Sequence, residues 1–183
     1  MKVVKLATVL LLICAIVAGV LGAVNAITED TIAEQKMAKS KAAYAAVLEA
    51  DTYKAVDFDG AAFPTVTDVV KAGDRGYVVK STLSGAQGSI TMAVGVDNDG
   101  CCTGISVIEH SETSGLGANA AADSEVGRTF RAQFVGQGEA IALKNNGGDI
   151  DSLTGATITT SAIVDAVAES ILAVKSVEGG AGA

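Results

Sequence analysis

Residues 76–96, GYVVKSTLSGAQGSITMAVGV, decide the fold. The segments 76–83 and 89–96 are rich in β-branched residues, and the glycine-containing stretch between them has the composition of a hairpin turn. A second turn, Asp97-Asn98-Asp99-Gly100, precedes a third β-rich segment at 104–109 (GISVIE). Together these segments predict an antiparallel meander with one face buried.

Helical patterns follow the strands. A short helix is expected near 120–134, and an extended stretch is expected at 140–144, before a turn at 145–148. Near the C-terminus, apolar residues recur at the 3.6-residue period of a helix that frays at 179–180. These apolar residues are Ile163, Val164, Val167, Ile171 and Leu172.

The N-terminal part also predicts helices. Lys2 and Lys5 precede an uncharged apolar run, 6–26, whose length of about 20 residues is enough to cross a membrane. The positive residues before this run predict that the N-terminus stays in the cytoplasm and that the rest of the chain is exported. A retained anchor is the favoured interpretation. The alternative is a signal peptide cleaved after Ala26, which also places the domain outside the cytoplasm.

A further helix is expected from Thr31 to about Ala50, with Thr31 and Glu34 as a capping box. Irregular structure is expected between 51 and 76. The predicted class is α+β: one transmembrane helix, then a single domain with an antiparallel sheet and flanking helices. The expected boundaries are an anchor at 1–27, a connecting helix at 28–50, the domain at 51–178 and a flexible tail at 179–183.

Composition limits the possible partners. The 183 residues carry a formal net charge of −8, and all the acidic residues follow residue 28. The exported part is therefore strongly acidic, which argues against a nucleic acid partner and against adsorption to anionic lipid. The three cysteines form no CxxC pair, and the single histidine supplies no ligand cluster, so the sequence argues against a zinc, haem or iron–sulfur site.

Residues 151–157, DSLTGAT, lead from a turn into the last predicted helix. Gly155 allows the backbone to turn tightly and to approach a ligand closely. The first turn of a helix presents unsatisfied N–H groups and the positive end of the helix dipole, which together favour phosphate. Hydroxyl groups at Thr154, Thr157 and Thr159 lie close to the same place. The alternative interpretation is that these residues only cap the helix.

DSLTGAT resembles the D-x-x-[ST]-G-A-[ST] motif of proteins that carry covalent flavin mononucleotide (FMN). In that family a flavin transferase takes FMN from FAD with magnesium and joins its phosphate to the last Ser or Thr of the motif. The resemblance implies FMN bonded to Thr157, beside Thr154, Gly155 and Ala156. Asp151 matches the acid that the transferase recognises.

A second stretch, 109–118 (EHSETSGLGA), resembles the flavin-facing segment of FMN-binding domains, with Ser114 where proline is usual. Its glycines would let backbone N–H groups approach a flat ring, and Leu116 could pack on the ring face. The residues that the resemblance implies for the flavin pocket are Glu112, Thr113, Leu116 and Gly117.

Two further residues have open roles. Lys144 matches a basic residue expected near the flavin in this family, and the alternative is a solvated lysine at the end of a strand. His110, the only histidine, could relay protons near reduced flavin, although a lone histidine at a strand end is more often structural.

The whole pattern resembles the G subunits of the Rnf ion-translocating ferredoxin:NAD oxidoreductase complexes. The C subunits of Na⁺-translocating NADH:quinone oxidoreductases are related but usually longer. The resemblance implies an electron-transfer subunit of a cell-membrane translocase, with other membrane subunits and a flavin transferase as partners. No GxGxxG motif follows a strand, so no complete NAD or substrate site is expected in this chain. The alternatives are the equivalent subunit of a Na⁺-translocating NADH:quinone oxidoreductase, a free-standing, membrane-tethered flavoprotein that passes electrons to external acceptors, and a binding domain without flavin.

Overall fold

A computed structural model describes residues 2–180 of the chain. The described part of the chain divides into two compact units, one that ends at Lys39 and one that begins at Ser40. The predicted flexible tail at 179–183 lies outside the described residues from 181 onward.

Helix α1 spans Lys2–Val47. Its residues up to Lys39 form the first unit, and its last eight residues belong to the second. Its apolar side chains between Val3 and Leu21 are exposed, and its length and composition are those of a helix that can cross a membrane. The predicted capping box is wrong, because Thr31 and Glu34 lie in the middle of α1. No glycine or proline occurs between residues 23 and 50 to end the helix there.

The second unit is built on a five-stranded antiparallel sheet in the order β1-β2-β3-β4-β5. Its strands are β1 Tyr53–Ala55, β2 Val66–Ala72, β3 Gly76–Ser84, β4 Ser89–Asp97 and β5 Cys102–His110. The predicted meander of the last three strands is confirmed, with β3 paired to β4 from Gly76–Asp97 to Ser84–Ser89.

The prediction of irregular structure between residues 51 and 76 is wrong, because β1 and β2 lie there. β1 has only three residues, which is too short to give a periodic pattern. β2 reads VTDVVKA, and its Asp68 and Lys71 interrupt the apolar run. Both strands form by pairing, β2 with β3 and β1 with β2. Tertiary pairing therefore decided their conformation rather than local preference.

Each face of the sheet is covered by a helix. The larger core lies against α3, Thr157–Gly180, whose Ile163, Val167 and Ile171 are fully buried. The length and apolarity of α3 would allow it to span a membrane, but more than half of it is buried in the domain, so it is a core helix. On the opposite face, the C-terminal end of α1 packs Ala43, Tyr44 and Val47 against the strands.

Helix α2, Glu125–Ala132, is shorter than the sequence predicts and is capped by Ser124, whose hydroxyl accepts the Gly127 N–H at 3.2 Å. Its buried Phe130 packs edge-to-face on Phe134, with 5.2 Å between the ring centroids. The predicted extended stretch at 140–144 is reduced to one bridge between Leu143 and Ile150, because the chain turns directly afterwards through a short 3₁₀ helix.

Candidate functional site

The candidate site is formed by residues 151–157 and the two segments that contact them. Gly155 adopts φ +71°, in the left-handed region that glycine enters without strain. The Ala156 N–H donates to the Leu153 carbonyl at 3.0 Å, and the Thr160 hydroxyl accepts the Leu153 N–H at 3.2 Å. The buried Thr160 thus ties the turn to the first turn of α3.

Thr157 is the first residue of α3, and it is exposed. Thr160 N–H donates to the Ala156 carbonyl at 2.9 Å and starts the helical ladder. Within residues 2–180, the N–H groups of Thr157, Ile158 and Thr159 donate to no protein acceptor. An exposed hydroxyl beside three free N–H groups, at the positive end of a long helix, suits a phosphate ester. The residues present therefore fit the phosphate of FMN.

Asp151 is held at both its backbone and its side chain. Its N–H donates to Gln133 Oε1 at 2.7 Å, and the Gln133 amide reaches back to the Asp151 carbonyl at 3.5 Å. Its carboxylate pairs with the Lys144 ammonium, and both side chains are more than half exposed. The structure thus brings together the predicted recognition acid and the predicted flavin-facing cation. Gln133 was not predicted from the sequence, because its contact with Asp151 joins segments 18 residues apart.

Glu112 lies between the turn joining β3 to β4 and the first turn of α3. Its carboxylate accepts the Gln87 N–H at 3.0 Å and the hydroxyl of the buried Thr159 at 2.5 Å. The side chain is 9% exposed. Burial raises the pKa of Glu112, but the hydrogen bonds from Gln87, from Thr159 and from the backbone of Ala86 and Gly88 outweigh it. The net effect lowers the pKa below its ordinary value of 4.5, so the group stays ionised at neutral pH.

The other three residues predicted for the flavin pocket lie in the same loop. Gly117 is buried against Glu112 and Thr159, and an added Cβ there would lie 2.7 Å from Thr159 Oγ1. Thr113 is exposed, and its carbonyl accepts the N–H groups of Leu116 and Ala118 at 3.2 Å. Leu116 is 43% exposed and lies against Gly155. Of the four pocket residues, Thr113 and Leu116 are therefore the ones exposed at the surface.

His110 has a local role. Its Nδ1 accepts the Glu112 N–H at 3.3 Å at the end of β5. This bond helps to orient the loop that carries Glu112. The structure thus gives His110 a structural contact, and the proton-relay role stays a prediction.

A groove of about 370 Å³ opens between α2 and residues 151–154. Its walls combine apolar and hydroxyl side chains, and an acidic residue lies on each side. The lining residues are Glu125, Val126, Thr129, Phe130, Gln133, Asp151, Ser152, Leu153 and Thr154. Only Asp151 and Thr154 among them were predicted site residues. The α2 wall was missed because nothing in its sequence shows which segment it faces.

Two family models and several curated proteins match the chain. Residues 85–172 match the family model of the FMN-binding domain, and residues 1–47 match that of the RnfG N-terminal region. The chain is 34% identical over 164 residues to the G subunit of the ion-translocating oxidoreductase complex of Escherichia coli K12, covering 81% of this chain and 80% of that protein.

A second relative is the G subunit of the Na⁺-translocating ferredoxin:NAD⁺ oxidoreductase complex of Acetobacterium woodii. It is 30% identical over 190 residues, which cover 91% of this chain and 89% of that protein. A third is the G subunit of the proton-translocating ferredoxin:NAD⁺ oxidoreductase complex of Clostridium ljungdahlii, 39% identical over 108 residues. These cover 57% of this chain and 56% of that protein.

Proposed function

The chain belongs to the family of Rnf-complex G subunits, which carry an FMN-binding domain, and on that premise we propose that its FMN is bonded through the phosphate to Thr157. The observation that carries this proposal is the position of Thr157. Its exposed hydroxyl stands at the start of α3, where three backbone N–H groups have no protein acceptor within residues 2–180.

Attachment requires a balanced group transfer. The Thr157 oxygen attacks the phosphorus on the FMN side of the FAD diphosphate, the bond to the AMP phosphate breaks, and AMP leaves as the hydroxyl proton is lost. A flavin transferase with magnesium carries out this step in the resembling family. The free N–H groups of α3 are placed to bind the ester oxygens, and the helix dipole favours their negative charge. Asp151 is the proposed recognition acid for the transferase.

The proposed role of the chain is electron transfer within the translocase. FMN, when bound, supplies the redox chemistry. The protein contributes attachment, position and electrostatic environment, and Lys144 is the proposed cation near the flavin. The donor and acceptor are other subunits of the complex. Relatives from two organisms are named for different ions, Na⁺ and H⁺, so the coupling ion of this chain is left open.

The proposed orientation places the N-terminus in the cytoplasm and the FMN domain outside it. Lys2 and Lys5 at the start of α1 support this orientation. On that side of the membrane, a covalent link keeps the flavin from being lost to a compartment without a flavin pool. It also holds the ring at a fixed distance from its redox partners.

The attachment site is tested by Thr157→Ala in the full chain, produced together with an active flavin transferase. We expect complete loss of covalent flavin with the fold retained, because Thr157 is exposed and its side chain makes no hydrogen bond within the described residues. Flavin fluorescence in a denaturing gel and intact mass measure the label.

Ser152→Ala is the matched control, since Ser152 also carries a hydroxyl group in the same segment, at a position that the motif leaves free. It should keep the label. Flavin that persists on the Thr157→Ala protein would move the attachment to another hydroxyl. A colourless wild-type protein with the unmodified mass would overturn the proposal altogether.

A further inference from the structure

The segment that carries the motif is irregular and is held to the domain near both of its ends. Residues 151–156 form neither a helix nor a strand. Near the downstream end, the Leu153 N–H donates to Thr160 Oγ1 at 3.2 Å. At the upstream end, the Asp151 N–H donates to Gln133 Oε1 at 2.7 Å. Asp151 is the acid of the motif, so the upstream contact decides where the recognised carboxylate lies.

Gln133 is fixed by the end of α2. It directly follows the helix with φ −64° and ψ −23°, and its N–H donates to the Phe130 carbonyl at 3.3 Å. The neighbouring Phe130 and Phe134 are buried and pack edge-to-face. The backbone of Gln133 is therefore anchored in the core, and its side-chain amide reaches the attachment segment from a rigid position.

The amide of Gln133 contacts both backbone groups of Asp151. Its Oε1 accepts the Asp151 N–H at 2.7 Å, and its Nε2 donates to the Asp151 carbonyl at 3.5 Å. The first distance is that of a good hydrogen bond, and the second is at the upper limit for one. The bond to the N–H is therefore the main restraint that Gln133 places on Asp151.

The ion pair with Lys144 is a weaker restraint. Its two side chains are 55% and 62% exposed, for Lys144 and Asp151 respectively. Exposed ion pairs contribute little, because water and salt screen the charges and both side chains lose rotamer freedom. Gln133 is only partly exposed and binds the backbone rather than a charge. Within residues 2–180, these two side chains are the ones that hydrogen-bond to Asp151.

From these contacts we propose that Gln133 is a positioning residue for flavin attachment, because it holds Asp151 in the orientation that the flavin transferase recognises. The inference rests on the proposed attachment at Thr157. The transferase must bind the acid and the hydroxyl group of an irregular segment together, and a segment ordered in advance costs less to bind. Gln133 supplies this order at Asp151. It makes no hydrogen bond to Thr157 within the described residues, so it acts on recognition and not on the transfer itself.

Two substitutions of similar length separate the hydrogen bond from packing. Gln133→Met removes the acceptor, whereas Gln133→Glu keeps an acceptor for the Asp151 N–H and loses only the 3.5 Å contact. Gln137→Met is the matched control, since Gln137 is also partly exposed and only its backbone makes hydrogen bonds within the described residues. Initial rates of flavin attachment are measured on the flavin-free full chain at several concentrations, with purified transferase, FAD and magnesium. Thermal melts check the fold.

Gln133→Met should lower kcat/KM for attachment by about three- to tenfold, the effect of losing one ordinary hydrogen bond. The loss should appear as a higher KM with kcat unchanged, because the Thr157 hydroxyl and the first turn of α3 are untouched. Gln133→Glu should restore the wild-type value, and Gln137→Met should match the wild type. In an Asp151→Asn background, Gln133→Met should have no further effect, because the carboxylate through which Gln133 acts is already absent.

Four results would overturn the inference. Wild-type kcat/KM in Gln133→Met would show that Asp151 needs no positioning, and an equal loss in Gln133→Glu would exclude the N–H bond as its cause. A loss confined to kcat, or an undiminished loss in the Asp151→Asn background, would give Gln133 a role independent of Asp151. If Gln133→Met does not fold, Gln133→Asn takes its place, because its shorter side chain withdraws the acceptor. Wild-type protein that takes up no flavin would instead overturn the proposed attachment, and the inference with it.

Discussion

The loop at 111–118 and the α2 region both contact residues 151–159, but they do so in different ways. The loop directs its carboxylate inward, where Glu112 binds Thr159 of α3 and the turn at Gln87. Gln133, the residue directly after helix α2, holds the segment by its side-chain amide, and an open groove lies between α2 and residues 151–154. Residues of the 111–118 loop that suggest a ligand site in the sequence are thus partly used to build the fold, whereas the groove lies between the first four residues of DSLTGAT and a helix without a motif.

A sequence motif that resembles a ligand site can also be explained by contacts within the fold. The EHSETSGLGA pattern was assigned to flavin by resemblance, and its Glu112 and Gly117 have a structural explanation that needs no ligand. DSLTGAT differs, because the side chain of Thr157 is exposed and makes no hydrogen bond to the part of the chain that the structure describes. Substitutions in the loop should therefore alter stability first, and Thr157→Ala should alter the flavin first.

The largest expected loss of stability follows Glu112→Ala. This change leaves the Thr159 hydroxyl and the Gln87 N–H without their acceptor. We expect the free energy of unfolding to fall by about 1–3 kcal/mol, because the buried Thr159 hydroxyl loses its acceptor and a buried donor left unsatisfied costs about 1–3 kcal/mol. Urea unfolding monitored by circular dichroism measures the loss. A loss below about 0.5 kcal/mol would mean that the carboxylate is free for another role.

The pH dependence of the same contact gives a second measurement. The pKa of folded Glu112 lies below 4.5, so its contribution to stability is complete above pH 4.5 and is lost as the pH falls through the folded pKa. Glu112→Gln is the control, because it has nearly the same shape and does not titrate. The stability difference between wild type and Glu112→Gln should be constant near neutral pH and should shrink below pH 4.5. A difference that grows in acid would contradict the assigned bonds.

The sequence predicted the last three strands of the sheet, because GYVVKSTL, SITMAVGV and GISVIE are rich in β-branched residues and are separated by clear turns. It could not predict β1 and β2, whose conformation depends on pairing with the rest of the sheet. It placed the end of the N-terminal helix at about Ala50, close to the observed Val47, but its predicted helix start at Thr31 is wrong, because α1 continues through Thr31 without a break.

For the site, the sequence predicts the proposed attachment motif, DSLTGAT, because its residues are adjacent. The direction of Glu112 could not be predicted, since its partner Thr159 is 47 residues away. The groove could not be predicted either, because its walls come from two segments that meet only in the folded domain. Motifs of adjacent residues can be predicted from the sequence, whereas contacts between distant segments cannot.

Gly117→Ala tests the close packing of the loop. An added Cβ would lie 2.7 Å from Thr159 Oγ1 and 3.1 Å from Glu112 Cβ, closer than side chains pack. We expect a destabilisation of about 1–2 kcal/mol from this overpacking. The control is Gly138→Ala, where an added Cβ meets nothing within 4 Å. A thermal melt of both variants measures the difference. Equal melting temperatures would show that the loop shifts to accommodate the added methyl group at little cost. The loop would then not be a tightly packed part of the fold.

The smallest effect on stability is expected at the exposed pair that joins Lys144 to Asp151. Lys144→Met should lower the free energy of unfolding by less than about 1 kcal/mol, because solvent and salt screen exposed ion pairs. The loss should vanish at high salt in chemical denaturation. The reduction potential of the flavin should change more. If Lys144 is the proposed cation near the flavin, its removal takes away a charge that stabilises the reduced, negatively charged flavin, and the potential becomes more negative. A stability loss above about 2 kcal/mol, with no change in the reduction potential, would contradict the proposed role beside the flavin. Lys144 would then have a structural role, as Glu112 has.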